Sequence, residues 1–338
     1  MNPKSILAGV VLIVALAVAA FRTLNAPSGD PSAKLVSSEQ PVVAPPRPAP
    51  SPSVPPSEKK PSEGTTPTTR PESKPADTGS GTSSFFYAGR PVFDAENLTF
   101  LENVGYANGY SEVRQQPLWT CYHLKGEPAF KGLKRPDNIK FETDNRTRAR
   151  VESRAYSNSG YDRGHNAPSD AIGAFFGEVA QRETFLMSNI CPQKHDLNSG
   201  DWNGLENAEQ FVYRRQYGEI WVVTGPLFEG QPGSMGTIGR EKVPVPTSFY
   251  KIIVVEEKGR GQAGVKMLGV VMPQAAQGTH ALRTYIVNVD TIEKRSGIDF
   301  FADLPDEIES RVEAAMPDAS WELDMMLDYK SIRNRPRK

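Results

Sequence analysis

Hydrophobic and polar positions divide the chain into three stretches. The first is Ser5 to Phe21, an uncharged apolar run of about 17 residues fenced by Lys4 and Arg22, at the short end of a membrane span. Two readings fit it: an uncleaved membrane anchor, and a secretory signal cleaved at the small residues Ala17-Val18-Ala19. Either places the bulk of the protein outside the cytoplasm, with Lys4 retained inside and Arg22 weakening that asymmetry. The second stretch, 26–83, is rich in Pro, Ser, Thr, Glu and Lys and lacks the apolar content to offset chain entropy. It reads as a disordered linker kept extended by clusters such as Pro45-Pro46-Arg47-Pro48, and so as a stalk behind an anchor. Residues 1–25 are therefore assigned to an anchor or signal, 26–83 to a linker and 84–338 to a globular domain.

Within the third stretch the pattern turns periodic. Pro117 to Leu124 predicts a strand, with Trp119, Cys121 and His123 alternating against Thr120 and Tyr122. Glu219 to Val223 predicts another, ended by the turn signal Thr224-Gly225-Pro226. Ser248 to Glu256 and Val265 to Met272 follow as strands, and Thr284 to Val289 as a further one. Leu205, Ala208 and Val212 recur at helical spacing, which predicts a helix over Trp202 to Tyr217 with Asp201 as its cap. Asp306 to Met316 predicts a second helix, with Pro305 near its start. Strands dominate and helices intersperse, so the expected class is α+β.

Composition narrows the picture. Roughly half of the 29 prolines lie between Pro27 and Pro75. That leaves about 255 residues of the 338 for one sizeable core. The net charge of −1 is not that of a dedicated duplex-binding domain, although it leaves room for a local basic cleft. Two cysteines, Cys121 and Cys191, exclude a disulfide-dense scaffold; they form one bridge or are two small buried residues.

Candidate chemistry gathers in two polar clusters. Tyr161-Asp162-Arg163-Gly164-His165-Asn166-Ala167-Pro168 holds one of only four histidines. His165 is a candidate general base, a role that contributes on the order of 10²–10⁴ in rate; the bland alternative is a surface-loop histidine. Gly164 permits close backbone approach, and Asp162 or a backbone carbonyl is expected to fix the imidazole tautomer. The second cluster is Ser188-Asn189-Ile190-Cys191-Pro192-Gln193, followed by Leu197-Asn198, Trp202 and Leu205-Glu206. Asn198 reads either as a helix cap before Ser199-Gly200-Asp201 or as an oxygen ligand for a hard cation. Glu206, two helical turns on, is a solvated helix glutamate or an acceptor for waters around such an ion. Asn189 is a turn residue or an orienting one. Arg135, Arg163 and Arg214-Arg215 are candidate phosphate clamps, Arg163 first among them by its adjacency to His165. His195 reads as exposed.

These residues resemble the signature of the DNA/RNA non-specific endonuclease family. The Asp-Arg-Gly-His box is Asp162 to His165, the Ser-Asn-x-x-Pro-Gln box is Ser188 to Gln193, and Leu197-Asn198, Trp202 and Leu205-Glu206 complete it in order. Weaker similarity touches Ser159-Gly160-Tyr161, Val223 to Pro226, Phe249-Tyr250-Lys251, Gly297 to Phe301 and Leu304-Pro305. The resemblance implies a ββα-metal nuclease core, with a central, mainly antiparallel sheet flanked by helices. It implies His165 as general base and Asn198 as the sole direct protein ligand of one Mg2+, which Mn2+ or another divalent ion could replace. Glu206 and Asn189 would support the site, and Arg163 and, by a looser match, Arg135 would clamp phosphate. The implied substrate is DNA or RNA, cut internally without sequence preference, and a homodimer is compatible with the family. One departure stands out: the family tends to carry a basic residue one turn after the glutamate, where this chain has Gln210, and Arg214, a further turn along, is the candidate substitute. The rival readings are a non-catalytic nucleic-acid binder on the same fold and a cell-envelope protein acting through its proline-rich segment.

Overall fold

The long strands Gln116–Lys125, Ser248–Glu256 and Val265–Pro273 are buried on both faces and so gather at the middle of one sheet. The computed structural model describes residues 85–131, 133–230 and 234–336, all within one compact unit, Asp77–Lys338. The expected anchor, Ser5 to Phe21, and the linker over 26–83 lie outside the described residues.

Seven strands form the central sheet: β1 (Thr99–Glu102), β2 (Ala107–Ser111), β3 (Gln116–Lys125), β6 (Glu219–Leu227), β9 (Ser248–Glu256), β10 (Val265–Pro273) and β11 (Ile286–Val287). Their order is β1-β2-β3-β6-β9-β10-β11, every neighbouring pair antiparallel. A separate hairpin joins β4 (Asp162–His165) to β5 (Ile190–Gln193), and β7 (Thr237–Ile238) pairs β8 (Val243–Pro244). The α+β class with an antiparallel sheet is thus present.

Strand alternation sorts the core into two layers. Tyr122, Leu124, Ile220, Val222, Phe249 and Ile253 face one cluster with Cys191, Leu197, Trp202, Leu205 and Val212. Trp119, Cys121, Val223, Ile252 and Val254 face the other, with Val289, Ile292, Phe300 and Val312. Ile252 to Val255 are all fully buried, each such side chain contributing about 1.5–3 kcal/mol. The two cysteines fall in opposite clusters and are free thiols, so the bridge is not formed.

Three sequence expectations need correction. Thr224-Gly225-Pro226 is not a turn but the interior of β6, because a Cβ at Gly225 would sit 2.2 Å from the Leu118 carbonyl and only glycine allows that approach. Thr284 to Val289 is not one strand. A 3₁₀ turn (Leu282–Tyr285) precedes the short β11, and helix follows from Val289. The helix expected from Trp202 starts earlier, at His195, and Asp201 does not cap it.

That helical run, 195–217, is built from unequal pieces. An opening turn (His195–Leu197) leads into a wide π turn (Asn198–Trp202) kinked at Gly200, then an α segment (Asn203–Ala208), a second π turn (Glu209–Tyr213) and a closing turn (Arg214–Tyr217). π turns recur at functional positions in helices. Gly204 lets the run touch the C-terminal segment, since a Cβ there would meet the Leu327 carbonyl at 2.1 Å. Five other α-helices lie among the described residues: α1 (Ser169–Phe176), α2 (Glu178–Glu183), α3 (Val289–Ser296), α4 (Asp306–Ala314) and α5 (Tyr329–Arg333).

Candidate active site

The hairpin β4–β5 is held close by its glycine. Gly164 faces Cys191 in register, and a Cβ on it would come within 2.3 Å of Gln193 Oε1. Fully buried Asn189 then fixes the chain as it leaves β4. Its Oδ1 accepts from the Ala167 amide at 2.9 Å, and its Nδ2 donates to the carbonyls of Ala167 and Thr184, each at 3.0 Å. Both ends of the amide are spent on backbone, so Asn189 positions the segment after His165 and faces no solvent.

Arg163 and His165 share one face of β4, as residues two apart in a strand must. The His165 ring lies 5.0 Å edge-on to Phe185 and 5.5 Å from Phe141. These two rings are brought together by backbone bonds from Glu142 N to Phe185 O and from Met187 N to Glu142 O. His165 Nε2 is buried and finds no hydrogen-bond partner among the described residues. Burial, aided by the Arg135 charge, pushes the imidazole down to about 3, so it is neutral at neutral pH. The exposed Arg135 guanidinium stacks 4.5 Å over Phe185 and reaches Phe141 at 6.0 Å. Arg163 sits 5.5 Å over Phe141 but is already tethered: its Nε donates to Ser153 Oγ at 2.8 Å and a terminal nitrogen to Ser153 O at 2.7 Å.

Asp162 is three residues from His165 and so on the opposite face. The expectation that it fixes the His165 tautomer is therefore wrong. Its Oδ2 instead accepts from Asn198 Nδ2 at 3.0 Å and lies 2.8 Å from Nδ1 of exposed His195, whose protonated form it favours. Asn198 has helical dihedrals and makes no cap bond, so the cap reading fails. With Nδ2 committed to Asp162, Oδ1 is the amide's remaining ligand atom. Strand β4 thus carries both groups of contacts, Arg135, Phe141 and Phe185 through His165, and His195 and Asn198 through Asp162.

Glu206 lies further along the helical run. Burial pushes its carboxyl up to about 8, with Lys251 opposing and Glu209 and Asp170 adding to the rise. The Asn198 amide oxygen and the Asp162 carboxylate beside it are hard donors of the kind a Mg2+-type cation takes. Gln210 is buried. Arg214 does not replace the missing basic residue: it is buried, and its guanidinium donates to Gly126 O at 3.0 Å and Glu127 Oε1 at 2.8 Å. Arg215 stacks 5.1 Å over Phe211.

Two supporting networks went unread in the sequence. Beneath the helical run, fully buried Lys251 meets Glu209 Oε1 at 2.5 Å and the Trp202 ring at 4.6 Å, while Tyr122 donates to Glu209 Oε2 at 2.5 Å. A lysine inside the strand Ser-Phe-Tyr-Lys-Ile-Ile-Val-Val was the available signal, since an unpaired charge there is prohibitively costly. Beside the kink, buried Asp201 accepts from the His280 amide at 2.9 Å and from Tyr285 at 2.6 Å, and lies 2.6 Å from His280 Nδ1. These bonds stitch the 278–285 loop to the turn that carries Asn198.

A sequence profile described as DNA/RNA non-specific endonuclease matches residues 81–307. The chain is 33% identical over 211 residues to the mitochondrial nuclease EXOG of Xenopus laevis, covering 60% of this chain and 58% of that one. It is 33% identical over 229 residues to a nuclease of Nostoc sp., covering 65% and 78%. With human mitochondrial endonuclease G it shares 32% over 205 residues, covering 58% and 67%. The match therefore spans about three fifths of the EXOG relative's own length. Among solved structures, one of an EndoG/EndoGI complex aligns with a TM-score of 0.52 at 26% identity, covering 61% of this chain and 86% of that one.

Proposed function

The chain belongs to the DNA/RNA non-specific endonuclease family, and we propose that it is a metal-dependent endonuclease hydrolysing phosphodiester bonds of DNA or RNA without sequence preference. The observation that carries this reading is the His165 imidazole: neutral, unclaimed by any hydrogen bond among the described residues, and beside Arg135 on the strand whose Asp162 holds Asn198.

With Nε2 enclosed, we assign Nδ1 of His165 as the atom that takes the proton from the attacking water. Phe141 and Phe185 fix the ring plane, and Asn189 fixes the backbone that presents it. Arg135, exposed on the rim, meets the non-bridging phosphate oxygens and stabilises the charge that develops on them. Arg163, held by Ser153, supplies field rather than a mobile clamp. Asn198, oriented by Asp162 and with Glu206 in support, would hold a divalent cation, Mg2+ or in its place Mn2+, which supplies charge neutralisation at the phosphate. A rim of cations that meets phosphates and not base edges accounts for sequence indifference.

On the Ser5–Phe21 run alone, we place this activity outside the cytoplasm, anchored or released. The enzymatic reading is tested by incubating the full chain with supercoiled plasmid and with structured RNA, with Mg2+ or chelator. Metal-dependent nicking is expected. Retained binding without any cutting under Mg2+ or Mn2+ would instead identify a nucleic-acid-binding protein.

A further inference from the structure

Three carboxylates converge on the sheet face opposite the hairpin, between α3 and α4. Oxygens of Asp290, Glu293 and Glu313 lie within 4.8 Å of one another. Asp290 and Glu293 stand three apart on α3 and so share a helix face; Glu313 is the penultimate residue of α4. Asn288 locks this arrangement, capping α3 through Thr291 N at 3.1 Å and donating to Ala314 O at 3.2 Å across to the end of α4.

Among the described residues no lysine or arginine forms an ion pair with the cluster. Glu293 Oε1 accepts from the Phe300 amide at 3.0 Å. Glu313 is only 5% exposed, and its Oε1 is buried with no hydrogen-bond partner. The nearby Arg295 is committed to Glu229, with both contacts at 2.7 Å. Asp299 and Glu309 add further negative field, as does the carbonyl end of α4. A buried carboxylate oxygen left unpaired is costly, and it is aimed here at two other carboxylates.

We propose that Asp290, Glu293 and Glu313 form a cation site separate from the active site, which takes a calcium-class divalent ion and fastens α3 to α4. Carboxylates set on two separate helices suit an ion of flexible geometry, with metal–oxygen distances of about 2.3–2.6 Å, better than one demanding a tight octahedron at about 2.0–2.1 Å. The ion would neutralise three charges that α3 and α4 otherwise force together, so its binding favours the folded state.

The test is calorimetric titration of the full chain carrying Asn198→Ala, which weakens the active-site ion, with CaCl2 and separately with MgCl2. One Ca2+ should bind more tightly than Mg2+ and raise the melting temperature. Adding Glu313→Gln, nearly isosteric, should abolish both the heat and the Ca2+-dependent rise, with a melting temperature in chelator no lower than the parent's. Should that variant misfold, Asp290→Asn on the exposed rim should weaken Ca2+ at least ten-fold. Absence of Ca2+ binding up to about 10 mM, beyond the range of extracellular modules, or equal affinity in these variants, would overturn the proposal. The cluster would then be one held together by protons.

Discussion

Asp162 Oδ2 accepts a hydrogen bond from Asn198 Nδ2 at 3.0 Å, joining the first residue of β4 to the first residue of the wide π turn. The bond decides which end of the Asn198 amide is free. Asp162→Ala should let the amide rotate and offer its nitrogen, raising the Mg2+ concentration for half-maximal cutting about 10–100-fold, the usual effect of losing a residue that orients a ligand. Cutting measured against Mg2+ concentration checks this; an unchanged midpoint would show that the bond does not orient the ligand.

The His165 imidazole is pushed down to about 3, below its ordinary value near 6.5. The folded chain therefore resists the proton that the unfolded chain accepts. Stability from this residue is complete above about pH 6.5 and declines as pH falls toward about 3. His165→Gln should flatten the pH dependence of unfolding across that window. The acid limb of the cutting rate should likewise lie well below pH 6, and a limb centred at 6.5 would contradict the buried, neutral base.

The two arginines near His165 should behave differently. Arg135 is exposed and bears on the imidazole through its charge. Arg135→Ala should lower the cutting rate by about 10²–10³ and move the acid limb upward, with little loss of melting temperature. Arg163 is tied to Ser153 by two bonds, and Arg163→Ala should cost about 1–3 kcal/mol of stability as well as rate. Equal melting temperatures for the two variants would remove the distinction.

Lys251 and Glu209 form a fully buried pair under Trp202. Lys251→Met alone should destabilise by about 3–5 kcal/mol, because it strands the Glu209 charge. Adding Glu209→Leu should recover most of that loss. Additive losses in the double-mutant cycle would mean that the two are not coupled.

Much of this was legible in the chain. The apolar runs of β9 and β10 marked both strands, since a strand buried on both faces reads as a nearly continuous hydrophobic stretch, broken in β9 by Lys251. The two strands that form the hairpin were legible only through the family resemblance carried by the boxes around His165 and Asn189, whereas the helix was legible from the spacing of Leu205, Ala208 and Val212. What failed was long-range. Gly225 resembles a turn residue until Leu118 is known to press against it. Asp201 resembles a cap until His280 and Tyr285, some eighty residues on, claim its carboxylate. Arg214 falls on the expected helix face, but Glu127 takes its charge. In each case the local preference is worth about a kilocalorie and the tertiary partner more.

The central claim is that a neutral His165 takes the proton in a site whose ligand is Asn198. The most direct measurement is the single-turnover cleavage rate of a duplex oligonucleotide at saturating Mg2+ by wild type, His165→Ala and His165→Ala with added imidazole. The account predicts a loss of at least about 10²-fold in the variant, with substrate binding intact and partial return of cutting with imidazole. Cleavage by His165→Ala at the wild-type rate would contradict it.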